Sequence, residues 1–317
     1  MTDIADLPFA MYDAFTDVPY SGSQAAIVLN AGQLSTENRM RIARQIGVPA
    51  TSFVDRIEGT TVSLQFFSTV MELPMCGHGT LCLITRLVDL DLLPCDSDDW
   101  HNATLDLPKG KATVKYRRNT NGRIEVMLDV ATATFAPAAL DMDRLATLLG
   151  ITPDDYSSSL PAEVASADFI HLCLPLRDLD AMNRLQPDFA GLAAFCIENG
   201  LETVAAFSTD VIAVDRHLHV RDFCPAVGVS ESAAAGTTNA ALAAYLFRNN
   251  LVKPEGADLF EIRAEQGLKL GRPSQITSRI MVSDGDITRL QVGGIATRVI
   301  EGKLSLPSPD SGPLSQQ

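Results

Sequence analysis

Apolar and polar residues alternate along this chain in short runs, broken by a few stretches that repeat with helical spacing. Residues 8–16 and 25–30 alternate on either side of the loop Asp17-Val18-Pro19-Tyr20-Ser21-Gly22, which predicts a strand pair. Met40, Ile42, Ala43 and Ile46 recur at helical spacing and predict a helix over 35–47 with Ser35 as its N-cap. Phe53-Val54 and residues 60–67 read as strands, and residues 90–102 as an acidic loop. Residues 103–117 and 122–130 read as two strands joined at Arg118-Asn119-Thr120-Asn121-Gly122, where Asn-Gly signals a hairpin. Beyond them the pattern predicts helices over 142–149 and 187–199 and a short helix starting near Arg177. It also predicts strands over 169–175, 203–208, 211–215, 217–223, 257–266, 278–283 and 289–300. The Pro- and Ser-rich tail over 305–317 has the composition of flexible chain.

One pattern occurs twice. The extended segment Leu64-Gln65-Phe66-Phe67 leads to Met75-Cys76-Gly77-His78-Gly79-Thr80, then to the apolar run Leu81-Cys82-Leu83-Ile84, which predicts a helix from Gly77 to about Val88. Extended chain around Phe223-Cys224-Pro225 likewise leads to Ala235-Gly236-Thr237-Thr238 and a helix over 237–250. Setting Gly77 on Gly236 places Leu83 on Leu242 and Leu87 on Leu246. Self-similarity at this distance predicts two related domains.

Length and composition fit that picture. The chain has 317 residues and is 46% hydrophobic, enough to bury two cores. Its formal net charge of −14 argues against nucleic acid or an anionic membrane as the main partner. The six cysteines show no CxxC and no paired Cys/His spacing, so no metal site is expected, and Cys82, Cys173 and Cys196 read as reduced core residues. The start Met1-Thr2-Asp3-Ile4-Ala5-Asp6 lacks a signal pattern, and no apolar run is long enough to span a membrane. The expectation is a cytoplasmic protein.

Cys76 is the residue with the clearest chemistry. A cysteine is often a small core residue, but here it stands at a helix start, where free backbone N–H groups and the positive end of the dipole favour a thiolate. A carboxylate can dock on the same N–H groups, with Gly77 allowing close approach. A base beside a carboxylate dock is what removal of a proton next to a carboxylate requires.

The order of motifs resembles the PhzF (phenazine biosynthesis-like) family, within the larger group of diaminopimelate epimerase and proline racemase. The resemblance rests on Asp13-Ala14-Phe15-Thr16-Asp17 with Pro19 and Gly22, Glu72-Leu73-Pro74-Met75-Cys76-Gly77-His78 and Leu174-Pro175-Leu176-Arg177-Asp178-Leu179-Asp180. It continues through Arg221-Asp222-Phe223-Cys224-Pro225 with Gly228, Ala240 to Leu246, Gln266-Gly267, Gly271-Arg272-Pro273-Ser274 and Val292-Gly293-Gly294. It implies an α+β fold of two pseudo-symmetric domains, each a barrel-like sheet around a central helix, with the active site in the cleft between them. The expected division is 1–118 with about 286–304 for the first domain and 119–285 for the second. The resemblance also implies chemistry without a cofactor and a homodimer.

The departures from the family pattern narrow the chemistry. Ala50, in Pro49-Ala50-Thr51-Ser52-Phe53-Val54, stands where the family's isomerases carry a basic glutamate, and Ser232 stands where they carry an aspartate. Ala233 is read as the place of the epimerases' second cysteine, and Gly22-Ser23-Gln24 replaces Gly-Asn-Pro. Cys76, His78 and Ser232 are therefore the catalytic candidates, with Gly77, Gly79, Ser23, Gly236 and Thr237 as substrate-binding ones. Glu231 and Glu72 are read as structural, and His217 and His219 are given no function. The expected enzyme is an isomerase or epimerase moving a proton next to the carboxylate of a small carboxylic or amino acid. A proton-transfer lyase and a degenerate ligand-binding protein are the alternatives.

Overall fold

A computed structural model describes residues 6–256 and 258–306. Most of the acidic N-terminal start and the tail from residue 307 lie outside the described residues, as does residue 257 of the expected strand 257–266. Contacts divide the chain into two compact units, one made of the chain up to Tyr20, Gln24–Val126 and the chain from Ile295, the other of Ser21–Ser23 and Met127–Gly294.

The first unit runs β1 (Asp6–Ala14), β2 (Ser23–Val28), α1 (Thr36–Ile46), β3 (Ala50–Glu58), β4 (Thr61–Phe67), β5 (Glu72–Leu73), α2 (Gly77–Asp89), β6 (His101–Leu107), β7 (Gly110–Arg118) and into β8 (Ile124–Val130). Ser35 caps α1 by accepting from Asn38 N–H, and Gly47 closes the helix at φ 76°. Strand β2 lies parallel to β3, and β4 parallel to β6, with α1 and α2 as the respective crossovers; β3–β4, β4–β5 and β6–β7 are antiparallel. Residues 103–117 are thus not one strand. The chain turns after Leu107, which pairs with Gly110, so Pro108-Lys109 is a two-residue hairpin turn.

The second unit repeats this order. After β9 (Thr134–Pro137), α3 (Met142–Leu149) and β10 (Glu163–Ser166) come β11 (Ile170–Pro175), α4 (Leu179–Arg184), α5 (Phe189–Glu198), β12 (Thr203–Ser208), β13 (Leu218–Cys224), β14 (Val229–Ser232), α6 (Gly236–Arg248), β15 (Leu259–Gln266), β16 (Ser274–Ser283) and β17 (Asp286–Ser305). Strand β11 is parallel to β12 and β13 to β15, while β12–β13, β13–β14 and β15–β16 are antiparallel. Every pairing of β2 to β7 has its counterpart in β11 to β16. The first half of β17 pairs with β16, and its second half with β1.

Each unit wraps its sheet around one central helix. Helix α2 packs on β1 and β3, and α6 on β11 and β16. Both are 13 residues long and are buried almost throughout, from Gly79 to Val88 and from Thr238 to Leu246. A helix apolar all round needs such an enclosure. The fold is α+β, of two similar halves. The expected strand 211–215 does not form. The N–H groups of Ile212 and Ala213 instead donate to the buried carboxylate of Glu265, which also holds His219 Nδ1 at 2.8 Å. No helix among the described residues is long and apolar enough to cross a membrane.

Candidate active site

The two central helices differ from the other α-helices at their first residue. Helices α1, α3, α4 and α5 begin with Ser35, Asp141, Asp178 and Asp188, whose side chains take up first-turn N–H groups. Helices α2 and α6 begin with Cys76 and Ala235, neither making a side-chain cap, and neither first turn holds an acid. Their first hydrogen bonds within the helix are Thr80 N–H to Cys76 O and Asn239 N–H to Ala235 O. The N–H groups of Gly77 and His78, and of Gly236 and Thr237, are left without a partner inside their helices, with the positive end of the dipole behind them. The corner is braced alike in both units. Thr80 Oγ1 donates to Cys76 O, and Asn239 Nδ2 donates to Ala235 O, each at 2.8 Å.

Cys76 and Ala235 share nearly the same backbone angles, φ −146°, ψ 111° and φ −128°, ψ 111°. Ala235, not Ala233, is therefore the counterpart of Cys76. The second unit has a methyl group where the first has a thiol.

The Cys76 Sγ lies 3.5 Å from His78 Nδ1 and 3.8 Å from Nε2. Gly79 makes room for it, since a Cβ there would stand 3.2 Å from the sulfur and 3.1 Å from the Phe66 ring. The helix start alone suggests a readily ionised thiol, but Cys76 is only 7% exposed. Burial pushes the thiol up to about 12, a rise that the nearby backbone N–H of Gly79 only partly offsets. Burial likewise lowers His78 to about 4. At neutral pH the pair therefore rests as neutral thiol and neutral imidazole, against the expectation of a thiolate.

The other candidates divide between the units. Gly77 and Gly79 belong to the first turn of α2. Gly236 and Thr237 open α6, Ser232 ends β14 beside it, and the Ser232 carbonyl accepts from Gln266 Nε2 at 2.8 Å. Ser23 opens β2 and is half-buried. Glu231 forms a two-pronged ion pair with Arg221, both buried. Asp222 is the buried acid beside the start of α6 that the sequence pattern alone did not single out. It is buried and accepts from Thr238 Oγ1 at 2.9 Å, and the signal available was a charged pair, Arg221-Asp222, inside the apolar strand Leu218–Cys224. Among the described residues no group of three or more His, Cys, Asp or Glu side chains could hold a metal ion.

Alkylation tests the thiol's environment. Iodoacetamide at neutral pH is expected to modify half-exposed Cys95 first, then Cys76 slowly, with Cys82 and Cys173 last because they are fully enclosed. Peptide mapping that found Cys76 labelled as fast as Cys95 would show an ionised thiol and overturn the account of burial.

The family model described as Phenazine biosynthesis-like protein matches residues 12–302. The chain belongs to this family. It is 26% identical over 277 residues to the uncharacterized isomerase YfhB of Bacillus subtilis, covering 87% of this chain and 91% of that protein. It is 27% identical over 287 residues to the trans-2,3-dihydro-3-hydroxyanthranilate isomerase of Pseudomonas chlororaphis, covering 90% and 95%. Among solved structures, the Bacillus anthracis PhzF-family protein superposes with a TM-score of 0.85 at 24% identity, over 96% of this chain and all of that one. A hydroxyproline epimerase from Agrobacterium vitis matches more distantly, at TM-score 0.55 and 11% identity, over 96% of this chain and 94% of the other. These likenesses establish the fold, and the family membership supports isomerase activity.

Proposed function

We propose that this chain is a proton-shifting isomerase of small carboxylates, with Cys76 and His78 as its acid–base pair and the first turn of α2 as the dock for the substrate's carboxylate. The observation that carries the reading is the uncapped start of α2, where free N–H groups stand next to a thiol–imidazole contact. An anion fills that need, and the proton next to its carboxylate then lies near the sulfur.

A resting thiolate is not required. As Sγ takes the proton from carbon, its own proton passes to His78 Nδ1, the imidazole being the tautomer with Nε2 protonated. The pair goes from neutral to singly charged, and the substrate becomes an enediolate whose charge rests on the N–H groups of Gly77 and His78. Reversal of the relay returns the proton to another carbon. No cofactor enters this scheme. The methyl of Ala235 in place of a second thiol favours a one-sided shift over two-thiol racemisation. In the second unit, the start of α6 leaves the N–H groups of Gly236 and Thr237 without a capping side chain in the same way.

Incubation of the protein in D₂O with a panel of small hydroxy, amino and cyclic unsaturated carboxylates tests this. One deuterium is expected to enter the responsive compound at a carbon next to, or conjugated with, the carboxylate. A protein that binds such carboxylates and exchanges none of them is a binding protein, and the reading fails.

A further inference from the structure

Asp222 is a buried carboxyl group that the proposed chemistry leaves unused. It is 1% exposed, and its Oδ1 has no hydrogen-bond partner. Burying an acid this way costs stability, so its position needs a reason.

The repeat supplies one. Phe66 on β4 pairs with Leu73, three residues before the N-cap of α2, and its ring lies against Gly79, the third residue of that helix. Asp222 on β13 pairs with Ser232, three residues before the N-cap of α6, and bonds Thr238, the third residue of that helix. The two residues hold the same place. The first unit fills it with a phenyl ring, so the fold itself does not demand an acid there. In the second unit the place is taken by a carboxyl–hydroxyl pair behind an uncapped helix start.

We infer that Asp222 is a positioning residue whose charge sets the pH range in which the first turn of α6 accepts a carboxylate. Ionised, it places a second negative charge behind the free N–H groups and weakens their hold on an anion. Protonated, it leaves them free. The inference rests on the proposed ligand class, a small carboxylate, but not on the dock at α2 or on the thiol relay.

The surroundings fit a group that titrates. Burial raises Asp222 from 3.8 to about 6, opposed first by the hydrogen bond from Thr238 on α6; the Cys224 thiol on its own strand and the Thr203 hydroxyl on β12 are the other polar groups nearby. Glu231 on β14 pushes the same way as burial, but its charge is paired with Arg221. On β11, Cys173 is held up by burial, and His171, 2.7 Å from the Thr203 hydroxyl, is lowered to about 4; both stay neutral in this range.

Fluorescence titration with salicylate, a monoanion throughout, tests the inference. Its affinity for wild type is expected to fall about tenfold between about pH 5 and pH 8, the effect of about one unit of coupling. Asp222→Asn, which can still accept from Thr238, is expected to bind equally at both. Thr238→Val removes the donor to the charged form and is expected to move the midpoint to higher pH. A flat wild-type profile, an unchanged slope in Asp222→Asn, an unmoved midpoint in Thr238→Val, or no salicylate binding at all overturns the inference. Cys76→Ser is expected to keep the slope. A slope without deuterium exchange would sink the isomerase reading alone, and exchange without a slope would sink this inference alone.

Discussion

Cys76→Ser is expected to lower deuterium exchange into a responsive carboxylate by roughly 10²-fold or more, the usual worth of a positioned acid–base group. Serine keeps the shape of the corner and can still donate to His78, but its hydroxyl gives up a proton far less readily than a thiol. With the thiol already raised to about 12 by burial, little margin is left for a weaker acid in the relay. Binding is expected to change little, since the proposed dock consists of backbone N–H groups that the substitution does not touch. The signature is thus a fall in kcat with KM nearly constant. His78→Asn, which keeps a polar side chain but accepts a proton poorly, is expected to lose a comparable factor. Turnover and exchange in the three proteins, read at neutral pH, check this. Full activity in Cys76→Ser would remove the thiol from the chemistry.

The helix starts could be read from the chain because they are local features. Glycine after an extended segment and before an apolar run fixes a helix N-terminus whatever surrounds it, and Gly77 and Gly236 both do so. The repeat was legible for the same reason. Features set by distant residues were not. Residues 211–215 alternate like a strand, but Glu265, 53 residues beyond Ile212, takes their N–H groups. The two-residue strand β5 and the four-residue strands β9, β10 and β14 are too short for a period to show. The turn at Pro108-Lys109, followed by Gly110, has the usual residues for one, yet it lies within a continuous alternating run. At the site, sequence located the thiol but not its state. The free N–H groups of the first turn are local, whereas the desolvation that overrides them comes from tertiary packing, including the Phe66 ring.

Gly267→Ala is expected to cost at least about 3–4 kcal/mol, enough to leave a marginally stable chain. Gly267 sits at φ 77°, where an L side chain is strained. An alanine Cβ would also overlap Arg272 O and stand 2.5 Å from Ala233 O. Neither oxygen is the end of a flexible side chain, so backbone must move. Ala233 O is already bound by Ser274 Oγ at 2.6 Å, so its displacement breaks a partly buried hydrogen bond as well. Gly271 provides the control. It has a similar φ of 67°, but a Cβ there meets nothing within 4 Å, so Gly271→Ala is expected to cost only about 1 kcal/mol. The difference reaches the start of α6, because Ala233 lies between β14 and Ala235, the N-cap of that helix. Any shift that relieves the overlap also turns the free N–H groups of Gly236 and Thr237. Urea unfolding midpoints of the two variants measure the cost. Salicylate affinity at about pH 5, where Asp222 is mostly protonated, measures the displacement. Equal midpoints for Gly267→Ala and Gly271→Ala would mean that the corner below α6 yields to a methyl group, and that its tight packing does not hold the helix start in place.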